Sequence, residues 1–107
     1  MPGMIYEHRV YTFHPGKLAE FWKIYLPEPL ALQQRILGDL VGYFTVEVGT
    51  LNQVVHIWRY ASFEDRTERR SALQKEPVWR EYVARALPLM VKQESSILLP
   101  TAFSPLK

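Results

Sequence analysis

The stretch that most constrains the fold is a predicted β-hairpin over Leu40–Tyr60. Two runs of β-branched and aromatic residues flank a break at Gly49–Asn52, and runs spaced in this way around a glycine are typical of a hairpin. If Val48 faces Gln53 across the loop, the hairpin has two unlike faces. The nearly all-apolar face, which predicts core, carries Gly42, Phe44, Val46, Val48, Val55 and Ile57. The other face, which predicts a lining or an interface, carries Val41, Tyr43, Thr45, Glu47, Val54, His56, Trp58 and Tyr60.

The segment before the hairpin predicts one strand and two short helices. Met4–Phe13 alternates as a strand does, and its Glu7, Arg9 and Tyr11 share one face. Apolar residues then recur at helical spacing over Lys17–Leu26, prolines interrupt the pattern, and a second helix is predicted over Leu30–Leu37. Gly38 stands where a left-handed helix cap is expected.

The segment after the hairpin predicts two helices and a last strand. Ser62 is an expected N-cap, with the acidic Asp65 in the first turn, and the helix runs to about Lys75. A further helix is predicted over 77–88 because proline suits its first turn and a second proline closes it. Val91–Leu99 is predicted to be the final strand.

The order of these elements predicts an α+β fold. Strand, helix, strand, strand, helix, strand is the ferredoxin-like βαββαβ pattern in a single domain over residues 1–107. Its four-stranded sheet is antiparallel, with strand order 4-1-3-2 and the helices on one face. The second face is left open, and we expect it to hold the mixed face of the hairpin.

Composition narrows the function classes. The chain has no cysteine, which excludes disulfides and thiol nucleophiles, and a formal net charge of only +2. No basic strip is present, and the basic residues of Arg66–Arg70 alternate with acids, which predicts a solvated helix face. We therefore expect no nucleic-acid partner. No apolar run approaches a membrane span and no signal pattern is visible, so the predicted location is the cytoplasm.

An exposed sheet face that is rich in aromatic residues predicts a partner. Large apolar patches on a monomer usually mark an interface or a groove. A second copy packed sheet against sheet about a two-fold axis would cover the face, so we expect a homodimer with a pocket in each half. The competing hypothesis, RNA stacking on the sheet, is disfavoured because its motif is absent and Glu7 and Glu47 carry the wrong charge.

Four segments carry a family resemblance. They are IYEHRVYTFHPGK (5–17), LVGYFTVEVGTLNQVVHIWRY (40–60), SFEDRTERR (62–70) and QESSILLPTAFSPL (93–106). The chain resembles the NIPSNAP family, which consists of small domains of the dimeric α/β-barrel superfamily. The resemblance implies a ferredoxin-like protomer and a homodimer. The wider superfamily includes cofactor-independent monooxygenases, haem-degrading enzymes and isomerases, and the fold alone does not choose among them.

His56 is the candidate catalytic residue. An enclosed histidine can act as a general base or ligate haem iron, and it can equally be a structural group that bonds Glu7 or Glu47. Arg9 either anchors a carboxylate or phenolate ligand or pairs with Glu7 or Glu47. The residues predicted to line the barrel or bind a ligand are Glu7, Arg9, Tyr11, Tyr43, Glu47, Trp58 and Tyr60.

These residues support two functions. The first is a homodimeric protein that binds a small apolar or aromatic molecule, or serves as an interaction module. The alternative is a small cofactor-independent monooxygenase or isomerase with His56 as its acid–base group. No motif predicts a metal or another cofactor.

Overall fold

The computed structural model describes residues 4–107 and has the predicted ferredoxin-like architecture. The strands are β1 (Ile5–Phe13), β2 (Asp39–Thr45), β3 (Gln53–Tyr60) and β4 (Met90–Leu98). The helices are α1 (Leu18–Tyr25), α2 (Pro29–Leu37), α3 (Phe63–Gln74) and α4 (Pro77–Ala86), and one 3₁₀ turn (Leu87–Leu89) precedes β4. The antiparallel sheet has the order β2-β3-β1-β4, which is the predicted order counted from the other edge.

The helix boundaries follow the predicted local signals. The hydroxyl of Ser62 accepts a hydrogen bond from the backbone N–H of Asp65 at 3.0 Å, and the Asp65 carboxylate accepts one from the N–H of Ala61 at 3.1 Å. The first bond satisfies an N–H group that the first turn of α3 leaves unpaired, and the second ties the preceding residue to the start of the helix. Gly38 ends α2 at φ +96°, a backbone conformation that other residues rarely adopt.

The helices cover the mixed face of the sheet, so the predicted assignment of the two faces is wrong. His56, Trp58 and Tyr60 are each no more than 1% exposed beneath the helices, whereas Phe44 on the apolar face is 56% exposed. Aromatic side chains bury more area than valine or isoleucine and need matching partners. Helices α1 and α4 supply those partners, because Tyr25 and other aromatic residues pack against this face.

The loop of the hairpin is longer than predicted, and this removes one candidate from the site. Thr45 pairs with Val54, so β2 ends three residues earlier than the predicted register requires, and the loop occupies residues 46–52. Asn52 takes a positive φ of 59° next to β3 and closes the loop there. Glu47 therefore lies exposed in the loop and does not join the other predicted lining residues.

The face of the sheet away from the helices, which we term the open face, carries the remaining side chains of the strands. The chain after β4 packs over one end of this face, where the hydroxyl of Tyr6 donates to the backbone carbonyl of Lys107 at 2.9 Å. Val10 pairs with Val55 on the central strands, and Ile57 lies one step along the same face. Phe44 and Leu98 extend this surface toward the two edges and are 56% and 45% exposed. No helix within residues 4–107 combines the length and the apolar character that a bilayer span requires.

Candidate functional site

The centre of the buried face is the carboxylate of Glu7, which is fully buried on β1. Arg66 on α3 donates two hydrogen bonds to it, at 3.0 and 2.8 Å, in a bidentate arrangement. Arg9 Nη1 donates at 2.7 Å and the hydroxyl of Ser95 on β4 donates at 2.6 Å. Four hydrogen bonds from three side chains satisfy this buried charge, as a buried ion requires.

These contacts decide the protonation state of Glu7. Burial by itself would raise the pKa of the carboxyl, but the hydrogen bonds from Arg66 and Ser95 and the charge of Arg9 outweigh it and lower the pKa to about 2. The carboxylate is therefore ionised at neutral pH, and it accepts three hydrogen bonds at Oε2 and one at Oε1. It holds β1, α3 and β4 together and is poorly suited to accept a proton from a substrate.

His56 lies beside this cluster in an aromatic cage. Its ring stacks on Tyr43 with centroids 4.5 Å apart and meets Tyr11 edge-on at 4.7 Å. Trp58 Nε1 donates a hydrogen bond to its Nδ1 at 2.7 Å, so the expected carboxylate partner is replaced by an indole. A neutral imidazole that accepts at Nδ1 carries its proton on Nε2. That N–H is buried and has no hydrogen-bond partner among the described residues.

His56 is neutral at physiological pH. Burial disfavours the imidazolium, and the nearby positive charge of Arg9 adds to this effect, so the pKa falls to about 3. A group with this pKa cannot donate a proton as an acid near pH 7 and is only a weak base. The catalytic role of His56 stays a prediction, and a substrate would have to displace part of the aromatic cage to reach Nε2.

The phenols around this region are also neutral. Burial raises the pKa of Tyr25, Tyr43 and Tyr82 far above the usual range of tyrosine. Tyr25 donates a hydrogen bond to the side-chain oxygen of Gln33, while the hydroxyl of Tyr43 is buried with no partner among the described residues. These side chains provide neutral aromatic walls with hydroxyl groups attached.

Two clefts lie on either side of the His56 cage. The first, which we term the arginine cleft, has a volume of about 150 Å³ and lies between β1, β4, α3 and α4. The residues that give it its character are Arg9, Tyr11, Arg70, Trp79, Tyr82 and Gln93. It combines aromatic walls with two arginines.

The second cleft, which we term the aromatic cleft, has a volume of about 480 Å³ and lies where α1 and α2 meet the edge strand β2. Its principal lining residues are Trp22, Tyr25, Leu30, Leu40, Tyr43 and Phe44. Tyr43 separates it from His56, much as Tyr11 separates His56 from the arginine cleft. Its volume falls within the roughly 300–1,000 Å³ typical of small-molecule sites.

The predicted site residues therefore divide into groups. Glu7, Arg9 and Tyr11 are joined in one network, since Arg9 also donates to the Tyr11 hydroxyl at 3.2 Å. The predicted Arg9–Glu7 pair is confirmed at 2.7 Å. Trp58 and Tyr60 are buried beneath the helices and line neither cleft.

Sequence reasoning missed the role of α3. The prediction of a fully solvated helix face over 66–70 is wrong for Arg66, which clamps Glu7, and for Arg70, which lines the arginine cleft. The signal was their spacing: Arg66 and Arg70 are four residues apart, and Leu73, which is fully buried, follows three later on the same helix face. Among residues 4–107, no group of three or more histidine and carboxylate side chains is placed to hold a metal ion.

The family of the chain follows from comparison with known proteins. The NIPSNAP family model matches residues 6–105, which is almost the whole sequence. The chain belongs to the NIPSNAP family. A NIPSNAP relative in Dictyostelium discoideum, called Protein NipSnap homolog, is 40% identical over 96 residues, which are 90% of this chain and 42% of that protein. The chain spans about two fifths or less of the length of the curated relatives it matches.

Solved NIPSNAP structures share the fold. A NIPSNAP family protein from Agrobacterium tumefaciens is 45% identical, with a TM-score of 0.93 over 97% of this chain and 99% of that one. SnoaB, a cofactor-independent oxygenase from Streptomyces nogalater, is 16% identical, with a TM-score of 0.66 over 95% of this chain and 97% of that one. At this identity the second likeness concerns the fold alone.

Proposed function

We propose that this NIPSNAP-family protein binds a small apolar or aromatic molecule in the aromatic cleft of each protomer of a homodimer. The observation that carries the proposal is the cleft itself, in which Trp22, Tyr43 and Phe44 provide aromatic surfaces in a volume of about 480 Å³. Flat aromatic ligands gain buried area and ring–ring contacts in such a setting. The cytoplasmic location predicted from the sequence is kept as part of the proposal.

Tyr43 contributes its ring to the proposed site. The ring forms part of the cleft wall and also stacks on His56. Its hydroxyl is buried and lies beside that of Tyr25, so it is not part of the accessible wall of the cleft. Tyr43 therefore offers a ligand an aromatic surface.

We expect neutral bicyclic aromatics such as 2-naphthol to bind, and Trp22→Ala to weaken that binding at least about tenfold, because one aromatic wall of the cleft is lost. Isothermal titration calorimetry measures the affinity of each variant, and in the parent protein the indole N–H signal of Trp22 in ¹H–¹⁵N NMR should move during the titration while that of Trp58 stays. Phe63→Ala is the control, since Phe63 is an exposed aromatic residue outside the cleft. Binding that is equally strong in Trp22→Ala would exclude this cleft as the site.

The dimer is proposed through the open sheet face. Its surface is apolar at the centre, with Val10, Val55 and Ile57 on the middle strands, and Lys92 and Glu94 form an ion pair of 3.6 Å on β4 at one edge. An apolar centre with a polar rim is the usual anatomy of a protein interface. A second copy of the same face, placed about a two-fold axis, would bring apolar centre against apolar centre and polar rim against polar rim.

Val55→Glu is expected to convert the dimer into a monomer, because the exchange would place two carboxylates in the apolar centre of a two-fold interface. Light scattering at micromolar concentration would measure the change in mass. Val48→Glu makes the same exchange at a side chain that is 91% exposed in the hairpin loop, and it should leave the dimer intact. A monomeric parent protein, or a Val55→Glu variant that remains dimeric, would contradict the proposed interface.

The alternative function, an acid–base enzyme that uses His56, receives less support. The low pKa of His56 and the side chains of Tyr11 and Tyr43 that enclose it oppose a role at neutral pH. Fold likeness to an oxygenase of 16% identity supplies no residue for this role.

A further inference from the structure

The arginine cleft differs from the aromatic cleft in its charge. Within the part of the chain that the structure describes, the charged residues that line it are Arg9 and Arg70, both positive, and no carboxylate does so. Glu7 lies behind it and is approached by three guanidinium groups, those of Arg9, Arg66 and Arg70. One negative charge against three positive ones leaves a local excess of two positive charges.

Arg9 has donors left over for a ligand. Its Nη1 bonds Glu7 and its Nε bonds the Tyr11 hydroxyl, while none of the described residues accepts a hydrogen bond from Nη2. The side chain is only 12% exposed, so an anion that met it would be largely shielded from water. Guanidinium–carboxylate hydrogen bonds are stronger than neutral ones, and more so away from water.

The rest of the cleft provides a pocket for a ring. Trp79 and Tyr82 pack together with centroids 4.6 Å apart, and both line the cleft. The indole N–H of Trp79 is buried and has no acceptor among the described residues. A cavity of roughly 150 Å³ in another protein holds a single benzene ring, and the arginine cleft has a volume of about 150 Å³.

We propose that the arginine cleft is a second binding site, separate from the aromatic cleft, for a small monocyclic aromatic carboxylate whose carboxylate group is held by Arg9. The aromatic walls take the ring and the excess positive charge selects the anion. The smaller volume of the arginine cleft favours a single ring, whereas the aromatic cleft has room for two fused rings.

Benzoate is the probe, and the three tryptophans are the reporters. Trp79 lines the arginine cleft, Trp22 lines the aromatic cleft, and Trp58 lines neither. Benzoate should move the indole N–H signal of Trp79 in a saturable manner and leave the other two in place. Benzamide, which has the same shape without the charge, should bind at least about tenfold more weakly. Signals are assigned with single Trp→Phe variants.

Arg9→Lys should weaken benzoate binding by about tenfold or more. Lysine keeps the positive charge beside Glu7 but lacks the planar guanidinium group, which can donate several hydrogen bonds at once. Arg80→Lys is the matched control, since Arg80 is exposed on α4 and outside the cleft. Arg70→Gln provides a second test that leaves the Glu7 hydrogen bonds intact, and it should also weaken binding. Circular dichroism verifies the fold of each variant.

Three results would overturn the inference: no saturable shift of the Trp79 signal, benzamide binding as tightly as benzoate, or Arg9→Lys and Arg70→Gln both binding like Arg80→Lys. Binding of 2-naphthol, followed at Trp22, tests the proposed function separately. Loss of benzoate binding with retained naphthol binding would reject the arginine cleft alone, and the reverse result would reject the aromatic cleft alone.

Discussion

Glu7→Gln is expected to lower the free energy of unfolding by about 3–5 kcal/mol, the cost of breaking a buried ion pair by removing one partner. The amide has about the size of the carboxylate but carries no negative charge to neutralise the two arginines. Arg9 and Arg66 would then remain near the core with their positive charges unneutralised, and Ser95 would lose a charged acceptor at 2.6 Å. Urea unfolding followed by tryptophan fluorescence measures the change.

Glu47→Gln is the control for this experiment. The substitution is the same, and the sequence pattern had placed Glu47 on the same face as Glu7. The structure places it exposed in the hairpin loop, so its effect should stay within about 0.5 kcal/mol. A cost below about 1 kcal/mol for Glu7→Gln would show that its hydrogen bonds are not formed in solution.

The second large effect is a loss of stability in mild acid that depends on His56. The pKa of His56 is about 3 in the folded protein and 6.5 for an unperturbed histidine, the value that applies to the unfolded chain. Below pH 6.5 the unfolded chain therefore binds a proton that the folded protein does not. The contribution of the neutral His56 to the free energy of unfolding is therefore fully present above pH 6.5 and is lost as the pH falls toward about 3. Between about pH 7.5 and pH 5 the free energy of unfolding should drop by about 2 kcal/mol from this group alone.

The pH range separates His56 from Glu7. Glu7 has its pKa lowered from 4.5 to about 2, so its contribution is present above pH 4.5 and is lost only below it. His56→Gln removes the titrating group, and a glutamine oxygen can still accept from Trp58, so this variant should lose much less stability between pH 7.5 and pH 5. His14→Gln, at an exposed position, should follow the parent profile. Parallel profiles for His56→Gln and the parent would show that His56 is not held neutral.

The candidate site was predictable in part. A pair between Arg9 and Glu7 was one of the alternatives that the sequence offered, because side chains two residues apart on one strand share a face. The other hydrogen-bond donors to Glu7 could not be predicted in this way. Arg66 is 59 residues from Glu7 along the chain and Ser95 is 88 residues away, and no local pattern links them. The clefts were predicted only in part. Arg9, Tyr11 and Tyr43 were expected to line a pocket, but the helix residues that complete the walls, such as Trp22 and Trp79, were not.

The sequence by itself determined the elements and their order. Period-two and helical patterns, prolines, Gly38 and the Ser62 cap are local signals, and they act on neighbouring residues whatever the rest of the chain does. Only the tertiary structure decided which face of the sheet the helices cover. The alternation of side chains along a strand defines two faces of the sheet but does not determine which of them packs against the helices. The prediction that the apolar face forms the core was wrong. The mixed face can be buried because its polar groups have hydrogen-bond partners. Three side chains donate hydrogen bonds to Glu7, and Trp58 donates one to His56.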